Sequence, residues 1–313
     1  MASIGPLERL LAVRNLAIDR LAAEVAGEFA AVGIESVVLK GPVLAAWLYP
    51  EEVRPYGDAD LLVPPGRWDD AVAVLIGLGF ADRLGPMAHP RMESFNSTAF
   101  IRGAADEDNL DLHCAIHGLE AEPERIWAEF GGGAGAQEIG GAELRVPGRP
   151  ALALHVALHA AHHTEPKPLE DLRRALALAD DRLWGEAWAL ARELDGEAAF
   201  ASGLRRLPAG EELARRLGID EEVRSVRHDV RHQRVPTAEG IDGLLAPGQS
   251  LRERAATVAR ELFPRADFMR WWSPLARRGV LGLALSYPWR WLWLAWNAPR
   301  GLLAVRRARR GGG

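Results

Sequence analysis

Apolar residues alternate with polar ones over short runs in the first half of the chain and recur at helical spacing in the second. From the N-terminus, Leu7, Leu10, Leu11, Leu21, Val25 and Phe29 recur at roughly helical spacing, so residues 6 to 32 read as an amphipathic helix. Ser36 to Leu39 is a short β-branched run closed by Lys40-Gly41-Pro42, and Val43 to Tyr49 then has helical character. That is a strand, a glycine turn and a helix start. Pro-Tyr-Gly at 55 to 57 reads as a turn delivering the chain into a strand through Asp58, Asp60 and Leu61-Leu62-Val63. Trp68 to Leu75 begins a further helix that ends near Gly77 to Gly79. Phe95 to Ile101 and Asn109 to Ile116 predict two strands joined by a polar turn from Arg102 to Asp108. The hairpin makes the sheet mixed rather than purely parallel.

Gly131 to Gly135 with Gly140-Gly141 reads as a flexible glycine-rich segment, and it lacks the Gly-Lys-Ser/Thr of a P-loop. Leu144 to Pro147 is a short strand. Beyond Pro150 the composition shifts to alanine, leucine and arginine, which predicts a domain boundary near 148, a helical domain over 149–270 and a Trp/Arg-rich tail over 271–313. Ala151 to His163 carries His155, His159 and His163 on one helical face. Such a face can ligate metal or sense charge, or its histidines can be partly buried and satisfied by backbone and water.

The candidate chemistry lies between 40 and 113. Asp58 and Asp60, two apart in a strand, project from one face with their carboxylates side by side. Two like charges that close raise one pKa or call for a cation, and a hard divalent ion with oxygen ligands is the usual partner. In Asn109 to Ile116, Asp111 and His113 share one face, so a neighbouring strand can bring a third carboxylate to the pair. Lys40 stands where a helix N-terminus offers backbone N–H groups to phosphate. It is one of two lysines, the other being Lys167, against 36 arginines.

Leu39-Lys40-Gly41, then Arg54 to Asp60, then Asp111-Leu112-His113 and a His-rich helix resemble the uncharacterised nucleotidyltransferase family, the fifth type within the polymerase-β-like superfamily. The resemblance spans roughly residues 30 to 180. It departs from the wider superfamily in having Lys40-Gly41 where a Gly-Ser usually opens the helix. It implies an α+β fold, a minimal mixed sheet flanked by helices and followed by a helical domain. It also implies transfer of a nucleoside monophosphate from a nucleoside triphosphate to an acceptor hydroxyl with release of pyrophosphate. In that reading Asp58, Asp60 and Asp111 hold two Mg²⁺ ions. Lys40 and the Gly41 amide cradle the triphosphate, Arg54 neutralises phosphate charge, and His155 or His159 lies near the phosphates. Asp171 is a supporting or substrate-facing residue by the same resemblance, while a surface acid beside Arg174 explains it equally well. The alternative is a non-catalytic module that binds nucleotide or a partner.

Composition narrows the partners. The chain has 313 residues, 48% hydrophobic and 26% charged, enough for two ordinary globular domains. Its single cysteine, Cys114, excludes an intramolecular disulfide framework, and no basic segment followed by an apolar run opens the chain, so the expectation is cytoplasmic. The net charge of −5 conceals a division: nine arginines and no acid follow Asp267. An acidic body is a poor binder of nucleic acid, which leaves a small-molecule, peptide or protein acceptor. Six of the eleven tryptophans lie between 271 and 296 among arginines, a pairing typical of the bilayer headgroup region. Pro288 and Arg290 interrupt the apolar run, so residues 271–310 predict peripheral contact with a membrane face rather than a span. Packing on the helical domain is the other reading.

Overall fold

The computed structural model, which describes residues 5–83, 97–103, 108–246 and 250–310, divides into two units. One unit contains the described residues up to Ile219 and the other those from Asp220 onward. The composition shift near 148 therefore marks the passage from sheet to helices, whereas the division between units comes at 219. Phe95, Asn96 and residues 104–107, within the expected hairpin, lie outside the described residues.

The first unit is built on a sheet of β1 (Val37–Val38), β2 (Ala59–Leu62), β3 (Ala81–Asp82), β4 (Ser97–Arg102) and β5 (Asp108–His113). Its order is β1-β2-β5-β4-β3, with β2 and β5 parallel and the other neighbours antiparallel. The mixed sheet expected from the hairpin is present. All four residues of β2 are buried because the strand lies between two others and under a helix. That helix is α1 (Pro6–Ala31), which buries Ile18, Leu21, Ala22, Val25 and Phe29. Its first turns differ from the expected apolar face: Leu7 and Leu10 are exposed, and burial begins at Ile18. Residues 54–57 form no tight turn; Asn15 and Asp19 of α1 bind Arg54 and Tyr56 and hold the segment extended toward β2.

Helices α2 (Pro42–Leu48) and α3 (Trp68–Gly77) follow β1 and β2. The glycine-rich stretch is ordered, ending α4 (Pro123–Gly132) and opening a hairpin of β6 (Gly135–Ile139) and β7 (Ala142–Val146). The centre of the unit is α5 (Arg149–His162), buried on every side from Ala151 to Leu158, His155 included, as a core helix must be. Around it pack α6 (Pro166–Leu178), α7 (Asp181–Glu193) and α8 (Glu197–Leu204), and α9 (Pro208–Arg216) lies against α8.

The second unit is helical: α10 (Val226–His232), α11 (Ala238–Leu244), α12 (Leu251–Leu262), α13 (Ala266–Trp272) and α14 (Gly279–Arg310). Val230, Ala238, Ala304, Val305 and Ala308 form one core cluster, and Phe268, Met269 and Ala276 another.

Candidate active site

Strand register creates the site. Asp60 of β2 stands directly beside Asp111 of β5, and Leu62 beside His113. On the other side of β2, Val38 pairs with Leu61, and the Leu39 amide donates to the Asp60 carbonyl at 3.0 Å, which brings Lys40 to the Asp60 side chain. The Lys40 Nζ lies 2.6 Å from Asp60 Oδ1, and His113 Nε2 lies 3.1 Å from the same oxygen. Donor atoms of Asp60, Asp111 and His113 all fall within 4.8 Å of one another.

The electrostatics follow from burial and sign. Asp60 is 3% exposed; burial works against its charge, but Lys40 and His113 outweigh burial and hold the carboxyl well below its ordinary range. Asp111 moves the other way, raised by burial and by the neighbouring Asp60. Asp58, one residue before β2, is raised chiefly by Asp60 and then by burial. Burial disfavours the charge on Lys40, yet Asp60, with Asp58 and Asp111 behind it, lifts its pKa. Within the cluster, the pKa of Asp60 is held down while those of Asp58 and Asp111 are pushed up.

A cavity of about 450 Å³ opens beside it, lined by Asp58, Asp111, Asn109, Arg14, Arg83 and Lys167 among others. Both lysines of the chain therefore face this group of acids. The Lys167 role is legible in the sequence only as scarcity: a chain of 36 arginines places its two lysines here. His113 was visible as the residue sharing a strand face with Asp111, but its approach to Asp60 depends on which strands pair.

The remaining expected residues divide. Gly41 has φ +52 and ψ −112, a conformation open to glycine, and Tyr56 packs where a Cβ would point. The start of α2 offers fewer donors than expected, because Pro42 has no N–H and the Val43 amide donates to the Lys40 carbonyl. Arg54 does not present an open guanidinium to phosphate. It is 2% exposed, and its Nε and Nη2 donate to Asp171 at 2.9 and 2.6 Å. Asp171 is 1% exposed and also accepts from the Tyr49 hydroxyl at 2.8 Å, so it is no surface acid. Arg174 pairs instead with Glu170 and Glu52.

His155 and His159 lie one turn apart on α5 with ring centroids 6.3 Å apart, and each has a buried Nδ1 without a hydrogen-bond partner. Burial first, and then Lys40, pushes His155 down to about 3 and His159 well below its usual value. Both are neutral imidazoles close enough to Lys40 to feel its charge.

The donor set fits a divalent cation. Asp60 and Asp111 offer hard oxygen donors and His113 an imidazole that Mn²⁺ or Zn²⁺ tolerates better than Mg²⁺ does, while Asp58 lines the adjoining cavity and is not one of this close group.

Residues 7–208 match the family described as "Uncharacterised nucleotidyltransferase". Among solved structures, the antibiotic-resistance factor ANT(2'')-Ia is 18% identical, with a TM-score of 0.42 over 56% of this chain and 91% of that one. The lincosamide antibiotic adenylyltransferase LnuA, lincomycin-bound, is 12% identical with a TM-score of 0.35 over 51% and 96%. A nucleotidyltransferase-like antigen from Paracoccidioides brasiliensis is 13% identical with a TM-score of 0.34 over 60% and 92%. No curated protein matches the chain.

Proposed function

Because the chain belongs to the uncharacterised nucleotidyltransferase family, we propose that it transfers a nucleoside monophosphate from a nucleoside triphosphate to an acceptor hydroxyl in the cavity beside Asp60. The observation that carries this reading is the register of β2 and β5, which sets Asp60 against Asp111 with Lys40 and His113 on the same oxygen.

Asp58, Asp60 and Asp111 would hold two Mg²⁺ ions. Bound there, the ions offset phosphate charge and lower the pKa of an acceptor hydroxyl. The bond from acceptor oxygen to the α-phosphorus forms as the bond to the departing pyrophosphate breaks. Asp111, facing Asp60 across the paired strands and lining the cavity, is the carboxylate placed to accept the hydroxyl proton. Lys40 and the turn at Gly41 engage the triphosphate. His155 and His159, being neutral, contribute hydrogen bonds rather than positive charge. Lys167, Arg14 and Arg83 on the cavity wall supply cations for the leaving pyrophosphate. Arg54 acts through Asp171, fixing the segment that enters β2. A cavity of about 450 Å³ suits one nucleotide-sized ligand and an acceptor group at its mouth, hence a small molecule or a side chain of a peptide or protein.

The test incubates the protein, Mg²⁺ and each α-labelled nucleoside triphosphate with cell extract, with Asp58→Asn/Asp60→Asn as control. Label on an acceptor with the native protein alone is the expected result. Intact nucleotide binding with no transfer of label would instead make the chain a binding module.

A further inference from the structure

Helix α14 turns its faces the unexpected way. Toward its own unit it buries Gly282, Ser286, Arg290, Asn297, Gly301, Ala304, Val305 and Ala308, with Leu283 and Tyr287 packed against the Phe268 cluster, so several small and polar residues take places on the inward face. Gly282 and Gly301 are there because a Cβ would meet the Leu275 carbonyl at 2.3 Å and the Thr237 hydroxyl at 2.4 Å. Arg290, which interrupts an apolar run in the sequence, points into the unit. Its Nη2 donates to Glu261 at 2.8 Å, and Phe268 and Trp272 each hold a ring 5.1 Å from the guanidinium carbon. Asn297 donates within the helix to the Trp293 carbonyl.

The outward face is correspondingly apolar. Leu281 (73% exposed), Leu285 (52%), Trp289 (55%), Leu292 (67%), Trp296 (72%) and Leu303 (51%) follow one another three, four or seven residues apart. At ~100° per residue they share an arc of about 80°, a straight ridge of roughly 33 Å. Such a stripe of large side chains exceeds the scattered apolar exposure normal for a surface.

Charge tells what the ridge faces. Residues 220–313 carry seventeen arginines against nine acids, although the whole chain is acidic. Arg306, Arg307 and Arg310 are exposed in the turns beyond Leu303, on the same side of the helix as the ridge, and Arg300 packs its guanidinium carbon 5.7 Å from the Trp296 ring. Two copies joined along this ridge would either set arginine-rich ends together, if parallel, or leave them without an acidic partner, if antiparallel, since α14 carries no acid. Anionic headgroups supply that missing charge, and tryptophan beside arginine suits the headgroup depth. No helix among the described residues is long and apolar enough to cross a membrane, so the helix lies on the surface. We propose that the outward ridge of α14 binds the surface of an anionic lipid bilayer, with Trp289, Leu292 and Trp296 at the acyl boundary and the arginines beyond Leu303 among the headgroups.

The test is sedimentation of the full chain with vesicles of phosphatidylglycerol and phosphatidylcholine, against phosphatidylcholine alone, with brominated lipid to quench tryptophan. Binding to the anionic vesicles, weakened by salt and accompanied by quenching, is expected. Trp289→Ser/Leu292→Ser/Trp296→Ser should lose about 100-fold or more in partitioning, since each large apolar side chain withdrawn from the acyl boundary accounts for roughly tenfold. These positions are exposed, so the variant should melt as the parent does. Arg306→Gln/Arg307→Gln, beyond the ridge, should weaken anionic binding alone. Asp58→Asn/Asp60→Asn should bind vesicles like the parent, which separates this proposal from the catalytic one. Equal partitioning of parent and triple variant would overturn it. So would a dimer that the triple variant dissociates while anionic vesicles recover no protein.

Discussion

At Asp60 two demands meet: a buried carboxylate needs counter-charge, and a cation site needs an ionised oxygen. Lys40 serves the first demand, the His113 ring nitrogen lies 3.1 Å from the same oxygen, and the second demand stays met. The neighbouring pair Arg54–Asp171 is of another kind. With both side chains almost wholly enclosed, the Arg54–Asp171 pair joins the segment before β2 to α6, and the Tyr49 hydroxyl adds to it from the end of α2. Removing one partner leaves a buried charge alone, so Asp171→Ala should cost about 3–5 kcal/mol in urea unfolding. Arg54→Met/Asp171→Leu should recover most of that. If the double variant is no more stable than Asp171→Ala, the cost comes from lost packing rather than from the unpaired charge.

Among the elements, α5 and α8 are packed with almost no tolerance. Gly203 of α8 lies so close to α5 that a Cβ would fall 2.0 Å from the Ala157 carbonyl oxygen, a backbone atom that cannot swing aside. Gly203→Ala should therefore lower stability by about 1–3 kcal/mol or more despite the better helix propensity of alanine, and thermal melting would register it. An unchanged melting temperature would mean that the two helices separate freely. Helical periodicity foretold α1 from Pro6 to Ala31 but not that its first turns stand exposed, because periodicity identifies a face and not what covers it. The ordered hairpin of β6 and β7 escaped the reading of 131 to 141 as flexible, since glycine signals a turn as readily as a loose segment.

For the molecule as a whole, the buried histidines of α5 link folding to acidity. In the folded state His155 titrates near 3, while in the unfolded chain it takes up a proton near 6.5. The unfolded state thus binds more protons between those values, and the His155 contribution to stability is present above about 6.5 and lost as pH falls toward 3. His159, depressed by the same burial, adds to the loss. Asp58 and Asp111 oppose it, because their raised pKa values make protonation favour the folded state. A His155→Gln variant isolates the histidine contribution: its stability should fall less steeply than that of the parent, by on the order of 1–2 kcal/mol between pH 7 and pH 5. Parallel curves for the two proteins would exclude His155 as the source.

The sequence alone determined the order of α1, β1, α2, β2, α3, β4 and β5, the mixed sheet and the acids and lysine from which a site could be drawn, because strand alternation and helical spacing are local properties of the chain; β3, α4 and β6 were not legible in it. It also revealed the tryptophans and arginines of the C-terminal region. Only the tertiary structure decided which of these groups meet. Asp60 faces Asp111 through the pairing of strands about fifty residues apart. Arg54 is bound by Asp171, a residue more than a hundred positions away. Arg290 is turned inward by Glu261, which leaves the α14 ridge unbroken. Long-range pairing depends on which surfaces pack together, and the pattern along the chain does not encode that locally.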